Sequence, residues 1–292
     1  MSDPGRVLFV RRGALGDTLL LTAVLRALRR HSPAGTELHF AGELEIAQLL
    51  VHAGVVEVAL SREAFATWSP ERAVLQLAGY ERVIADDPAF AAVASAGVDV
   101  QSYEPRPRDQ RALSLQLADQ LGLSLQWPQD HRLELPARAM TACVAAAHEH
   151  LVLAPGSGAV AKNWPAGHWR QLAAAMHRQG VPIAVLVGPV ERERDDPRRW
   201  PWPVPVAFVE PADTIELAHA LAAARAFVGN DSGPAHLAAM LGVPTRALFG
   251  GGEPRVFAPI GPRAGHLLAP EQQLAALDAA VVASHVGTML FR

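Results

Sequence analysis

Short apolar runs alternate with stretches of helical periodicity along nearly the whole chain. Residues 6–10, Arg-Val-Leu-Phe-Val, form the first run. Beyond Asp17 the residues Leu20, Val24, Leu25 and Leu28 recur at the spacing that places them on one helical face. Further strands are predicted at 37–41, 55–60 and 82–85, and a helix from about Arg108 to Leu121, where Gly122 supplies a stop signal. Residues 128–136, with Trp127 before them and His131 inside, read as a linker. After them the alternation begins afresh, with strands predicted at 151–154, 183–187, 206–209, 226–228 and 245–249, helices between them and a last helix over roughly 270–285. The stretch 195–205, rich in proline, tryptophan and arginine, is expected to be an exposed loop. Apolar strands separated by helices mark βαβ units building a parallel sheet covered on both faces. The expectation is therefore an α/β chain of two doubly wound domains, residues 1–136 and 137–292, with a cleft between them, because such sheets bind ligands at the carboxyl ends of their strands.

Composition narrows the function classes. Half of the 292 residues are hydrophobic and the formal net charge is −3, which gives no basic footprint for nucleic acid. Cys143 is the single cysteine, so an internal disulfide framework and a cysteine-based zinc cage are excluded. No apolar stretch approaches the roughly 20 residues of a spanning helix. The first strand follows Met1 so closely that no signal peptide is expected. The resulting expectation is a cytoplasmic protein, with contact to a membrane surface left open.

Three loops are candidates for chemistry. Lys162 is the only lysine among 26 basic residues, and a compact ammonium on a flexible stem is not equivalent to a planar guanidinium beside a diphosphate. It follows the strand 151–154 within Pro155-Gly156-Ser157-Gly158 and Lys162-Asn163-Trp164-Pro165. The plain alternative is one lysine surviving by chance on a surface loop. Residues 156–161 formally match the dinucleotide fingerprint GxGxxA, but Asn163-Trp164-Pro165 prolongs the loop where that fingerprint needs its helix. His168 and Trp169 are expected on the packing face of the following helix. In the second loop, 228–237, a strand leads through Asp231-Ser232-Gly233 into a helix whose amino end offers free N–H groups to an anion. Ser232, Gly233 and His236 would face phosphates, and Asp231 would cap the helix or hold a ligand hydroxyl. The third loop, 11–18, places Asp17 at the start of a helix, where it is either an N-cap or, in a cleft, a base for a hydroxyl. Local sequence alone favours the cap. The adjacent carboxylates Asp86-Asp87 and Asp195-Asp196 are expected to be solvated. No spacing suggests a metal site, and no GxSxG elbow supports a serine nucleophile.

RRGALGDTLL (11–20), APGSGAVAKNWPAGHW (154–169), VGNDSGPAHLAAMLGVP (228–244) and LFGGGEPRVFAPIGP (248–262) together resemble glycosyltransferase family 9, the ADP-heptose:lipopolysaccharide heptosyltransferases. The resemblance implies a GT-B type fold: two Rossmann-like doubly wound domains facing a central cleft, the first taking the acceptor, the second the nucleotide sugar. It also implies a last helix that packs back on the first domain. Asp17 then matches the family's proposed catalytic base, against the local cap reading. Lys162 matches the lysine on the donor diphosphate, Ser157 and Gly158 the loop beside it, and Asp231, Ser232, Gly233 and His236 the D-[TS]-G-x-x-H element. Glu191 falls where the family places a carboxylate near the ribose.

The implied reaction is an inverting, metal-independent transfer of a sugar from a nucleotide-diphosphate donor, foremost ADP-heptose, to a cell-envelope glycan such as lipopolysaccharide core. It implies no cofactor and peripheral action at the cytoplasmic face of the inner membrane. The connection between 86 and 108 looks short for this family, which puts the acceptor in doubt. Arg62, Arg106 and Arg108 are candidates for an anionic acceptor, and solvated surface cations are the plain alternative. Competing readings are the same fold with another donor sugar, a non-catalytic nucleotide-sugar binding homologue, and a nicotinamide dehydrogenase resting on the GxGxxA match alone.

Overall fold

A computed structural model describes residues 5–65, 77–87, 90 and 98–291. The chain divides into two compact units, Met1–Pro136 and Ala137–Arg292. In the first unit β1 (Arg6–Val10), β2 (Glu37–Gly42), β3 (Val58–Ser61), β4 (Arg82–Ala85) and β5 (Asp99–Ser102) form one parallel sheet in the order β3-β2-β1-β4-β5. Side chains alternate between the two faces of a strand, and here both faces are buried. Leu8, Val10, Ala41, Val83 and Ala85 share one core. Phe9 stacks on Phe40 at 6.3 Å and meets Tyr103 at 5.2 Å. This double burial is why the central strands are apolar at nearly every position. The helical stripe after Asp17 is split into α1 (Leu15–Leu19) and α2 (Thr22–His31) by a tightened turn in which Leu21 N–H donates to Thr18 O. Leu20, Val24, Leu25 and Leu28 are nevertheless all buried. The unit is completed by α3 (Leu44–His52) and α4 (Leu113–Gln120).

The second unit opens with α5 (Ala142–Ala147) and then carries a six-stranded parallel sheet. Its strands are β6 (Leu151–Ala154), β7 (Ile183–Leu186), β8 (Ala207–Val209), β9 (Ala226–Asn230), β10 (Thr245–Phe249) and β11 (Ala264–Leu268), ordered β8-β7-β6-β9-β10-β11. The connecting helices are α6 (Ala166–His177), α7 (Pro189–Arg194), α8 (Thr214–Ala223), α9 (Gly233–Met240) and the short α10 (Pro254–Phe257), and α11 (Ala279–Phe291) ends the chain. The first unit has the same order without its last strand, so both are Rossmann-like sheets.

Several expectations are corrected. Of the four edge strands, β5 and β11 were not predicted: each is half exposed, so neither carries an apolar run. β5 lies inside the stretch 86–108 that looked like a short connection; residues 88, 89 and 91–97 of that stretch are outside the described residues. α4 starts at Leu113 rather than near Arg108 because Asp109 binds the Arg111 N–H at 2.7 Å and its guanidinium at 2.8 Å, a local turn that competes with the helix. The last helix starts at Ala279, after two single-turn 3-10 segments and positive φ at Glu271 and Gln272. Its buried residues Ala279, Val282, Ala283 and Val286 belong to the core of the second unit, which also contains Trp169 and Met176 of α6. The 128–136 stretch is more than a linker, for Asp130 and His131 are buried, with Arg30 donating to Asp130 at 2.7 Å. The 195–205 stretch is folded down as well: Asp196 and Pro197 are buried, and Trp202 Nε1 donates to Pro197 O at 2.8 Å. Among the described residues no helix is long and apolar enough to cross a membrane.

Candidate functional site

In a doubly wound sheet the crevice opens where strand order reverses, at the carboxyl ends of the two central strands. That point lies between β1 and β4 in the first unit and between β6 and β9 in the second. The candidate loops of the sequence follow three of these four strands, and Asp86-Asp87 follows the fourth.

At the first switch point the Arg11 guanidinium donates to Asp86 at 2.9 Å, with both side chains almost fully buried, and Arg12 pairs with Asp87 at 2.7 Å. The Arg12 N–H also points at the Asp86 carboxylate, at 3.2 Å. Tyr103 donates its hydroxyl to Val10 O at 3.1 Å, fastening the end of β1. Burial, reinforced by the nearby Asp86 carboxylate, pushes this phenol well above its ordinary range, so it stays a neutral donor. These ties set the path of the loop that delivers Asp17. Asp17 is not an N-cap: it sits in the first turn of α1, whose N-cap is Ala14. Gly13 is required by close approach, since a Cβ there would lie 2.9 Å from Asp17 Cβ and 3.2 Å from Arg11 Nε. The expected solvation of Asp86-Asp87 is thus corrected, because the buried Arg11 needs a counter-charge. Arg62 opens the turn after β3, and Arg106 and Arg108 lie in the exposed segment after β5, where Arg108 pairs with Glu104 at 3.6 Å. Strand order puts these arginines after the two edge strands β3 and β5, not on the loop with Asp17.

At the second switch point Lys162 and Asp231 meet. Lys162 Nζ donates to Asp231 Oδ2 at 2.6 Å, with the lysine 54% and the aspartate 16% exposed. Asp231 therefore serves as the counter-ion of Lys162 and not as the cap of α9. Ser232 takes the N-cap position without a side-chain cap bond, and its Oγ is buried with no partner. In the first turn the Ala235 N–H donates to Ser232 O at 3.1 Å and Pro234 has no N–H to offer, which leaves the Gly233 N–H without an intrahelical acceptor. His236 is buried one turn into α9.

The Lys162 loop is held from below. The fully buried Asn230 donates through Nδ2 to Pro155 O at 2.7 Å and accepts the Trp164 N–H at 3.0 Å. Trp164 Nε1 donates to Leu277 O at 2.9 Å, and its ring meets Trp169 edge-on at 4.9 Å. Ser157 Oγ lies 2.7 Å from both Ala159 O and Asn163 Oδ1, so its single proton is spent inside the loop. α6 begins only at Ala166, which removes the dinucleotide fingerprint.

Beside this loop lies a cavity of about 270 Å³. Gly156, Val160 and Asn163 line one wall, and Val190, Glu191, Arg194 and Trp200 the other. Glu191 is locked by the N-terminal turn of α7: its Oε2 accepts the Gly188 N–H at 2.8 Å. A Cβ on Gly156 would fall 1.6 Å from Glu191 Oε1, so only glycine lets the carboxylate lie there. Arg194 donates to Gly158 O at 3.1 Å, while Gly158 itself is open, with nothing near a would-be Cβ. Sequence reasoning missed Asn230, Arg194 and Trp200. The signal for Asn230 was an amide closing an apolar strand. Among the described residues no group of three or more His, Cys, Asp or Glu is arranged to hold a metal ion.

Comparison with known proteins adds the family. The model of "Glycosyltransferase family 9 (heptosyltransferase)" matches residues 76–286. The chain belongs to glycosyltransferase family 9. A 102-residue stretch is 39% identical to lipopolysaccharide heptosyltransferase 1 of Pseudomonas aeruginosa, spanning 35% of this chain but only 28% of that relative. Of solved structures, a family 9 glycosyl transferase of Veillonella parvula aligns with a TM-score of 0.78 at 19% identity, covering 99% of this chain and 97% of that one. The E. coli heptosyltransferase WaaC with ADP aligns with a TM-score of 0.72 at 22% identity, covering 97% and 99%. At these identities the structures establish a shared fold, and the family's two parallel-sheet units are those of this chain.

Proposed function

We propose that the chain is an inverting, metal-independent glycosyltransferase that moves heptose from ADP-heptose to a cell-envelope glycan such as lipopolysaccharide core. The observation that carries this reading is Lys162, set beside the amino end of α9 at the switch point of the second sheet. An ammonium and the free Gly233 N–H at the start of a helix suit a diphosphate. Lys162, Gly158, Ser232 and Gly233 take the phosphates in this reading, those residues of the loop acting through backbone N–H where the side chain is absent or engaged. Ser157 contributes its backbone, Asp231 orients Lys162, and His236 supports the turn from within α9. The cavity takes the nucleoside, with the fixed Glu191 carboxylate accepting ribose hydroxyls.

Asp17 removes the proton from the acceptor hydroxyl, whose oxygen forms the new bond to the anomeric carbon. The bond from that carbon to the diphosphate oxygen breaks, and ADP leaves with its charge met by Lys162 and the helix end. No cofactor enters this scheme. Arg62, Arg106 and Arg108 are assigned to an anionic acceptor, and a lipid-linked acceptor brings the protein to the cytoplasmic face of the inner membrane by peripheral contact. ADP is expected to raise the melting temperature more than UDP, GDP or NAD, because only a ligand of the folded state stabilises it. Transfer from ADP-heptose is expected to continue in EDTA. Preferential stabilisation by NAD overturns the transferase reading, stabilisation by UDP or GDP redirects the donor, and ADP binding without turnover on any sugar acceptor points to a non-catalytic homologue.

A further inference from the structure

We infer that Asn230 is a positioning residue, the brace that presets the Lys162 loop for its ligand. The inference rests on the donor reading above and assigns a role to a residue that touches no substrate. β6 and β9 run side by side in register, Ala154 opposite Gly229, so Asn230 is the residue next to Pro155 where the two strands end. The chain then leaves the sheet for residues 156–163 and returns at Trp164, which is 1% exposed. Both ends of that excursion leave a buried backbone group in need of a partner: a carbonyl at Pro155 and an N–H at Trp164. One side chain meets both. Asn230 Nδ2 donates to the first at 2.7 Å and Asn230 Oδ1 accepts from the second at 3.0 Å.

The chemistry of this brace is narrow. It needs a donor and an acceptor a fixed distance apart on a short stem, which the asparagine amide supplies whatever the pH. Aspartate keeps the acceptor for Trp164 but turns a second acceptor toward the Pro155 carbonyl. Leucine has the same branching but more bulk, and serves neither group. With the ends pinned, the Lys162 loop is ordered before ligand arrives, and binding need not supply the ordering entropy. Without the brace, Lys162 keeps its ion pair partner but loses the platform that aims it.

Hydrogen exchange on the intact wild-type chain tests the brace without any variant. The Trp164 N–H is expected to be as protected as the amides inside β9, with or without ADP. Exchange as fast as that of exposed loop amides overturns the inference. Asn230→Asp and Asn230→Leu are then titrated with ADP, expecting affinity at least tenfold weaker and Trp164 exchange accelerated by a similar factor. A neutral carboxyl restores both hydrogen bonds, since its O–H donates to Pro155 O while its other oxygen accepts. Asn230→Asp is therefore expected to regain ADP affinity as pH is lowered through the range, raised by burial, in which that carboxyl protonates, whereas Asn230→Leu gains nothing. Merely structural damage would show no such recovery. If wild type binds ADP and both variants bind it within twofold, the positioning role is wrong and the donor reading stands. If wild type binds no ADP, the donor reading fails, and this role falls with it even where Trp164 is protected.

Discussion

Replacing Lys162 by alanine separates two roles that its pairing with Asp231 combines. As an ion pair the contact is peripheral: the lysine side chain is 54% exposed, the aspartate 16%. Pairs of that kind contribute ~0.2–1 kcal/mol, which for a chain of this size lowers the melting temperature by no more than ~4 °C. As a preorganised cation facing charge that builds on a leaving diphosphate, the same ammonium contributes about 3 kcal/mol, or roughly a hundredfold in rate. The two magnitudes differ enough to be read independently. Initial rates of transfer from ADP-heptose, set against thermal melts of the same preparations, are expected to show a small stability loss beside a large fall in kcat/KM. Lys162→Arg is expected to restore the melting temperature and only part of the rate, because a guanidinium keeps the charge but not the compact head. A rate loss under about threefold, less than ~0.7 kcal/mol, refutes the placing of Lys162 on the diphosphate.

Further outcomes follow from other contacts. Asp17→Asn is expected to lower transfer by ~10²–10⁴-fold while calorimetric ADP affinity stays at the wild-type value; near-normal turnover removes Asp17 as the base. Arg11→Met strands the buried Asp86 carboxylate and is expected to cost ~3–5 kcal/mol in denaturant melts, with Asp86→Leu in the same chain recovering most of it; a single-variant cost below ~1 kcal/mol contradicts the buried pair. Gly156→Ala is expected to dislodge Glu191 and weaken ADP binding, whereas Gly167→Ala, whose added Cβ would meet only the Arg170 guanidinium at 3.9 Å, is expected to leave ADP binding unchanged; equal effects at the two glycines count against the Glu191 contact. Hydrogen bonds from Arg198 hold the Asp196 carboxyl down at about 2, below the ~3.9 of an unfolded aspartate. Its stabilising contribution is thus complete above pH ~4 and lost as pH falls through about 2. Urea melts at descending pH are expected to show that loss in wild type and not in Asp196→Asn.

The central strands were legible because a parallel sheet covered on both faces leaves few positions for polar residues: 151–154 and 245–249 match β6 and β10 residue for residue. Two of the four edge strands were not, since Asp99–Ser102 and Ala264–Leu268 are half solvated and carry no apolar run. The switch-point loops were legible through glycine, lysine and aspartate, whose chemistry is conspicuous. What sequence could not supply was pairing across the switch point. Arg11 and Asp86 are 75 residues apart and Lys162 and Asp231 are 69 apart, so reading each locally made solvated carboxylates of Asp86-Asp87 and a cap of Asp231. Both errors have one cause: a carboxylate beside a turn looks the same in sequence whether water or a distant cation satisfies it. Asp17 shows the converse, a local N-cap expectation undone because the helix starts earlier, from Ala14.

The bond from the Trp164 indole to the Leu277 carbonyl links the loop to a piece of chain made 113 residues later. The loop leaves the ribosome long before its anchor does, so a nascent chain carries the lysine segment without its floor. Only when the segment leading into the final helix has docked is the latch complete. Premature termination between His236 and Leu277 would therefore release a product with every phosphate-facing residue present but without the indole bond beneath the loop.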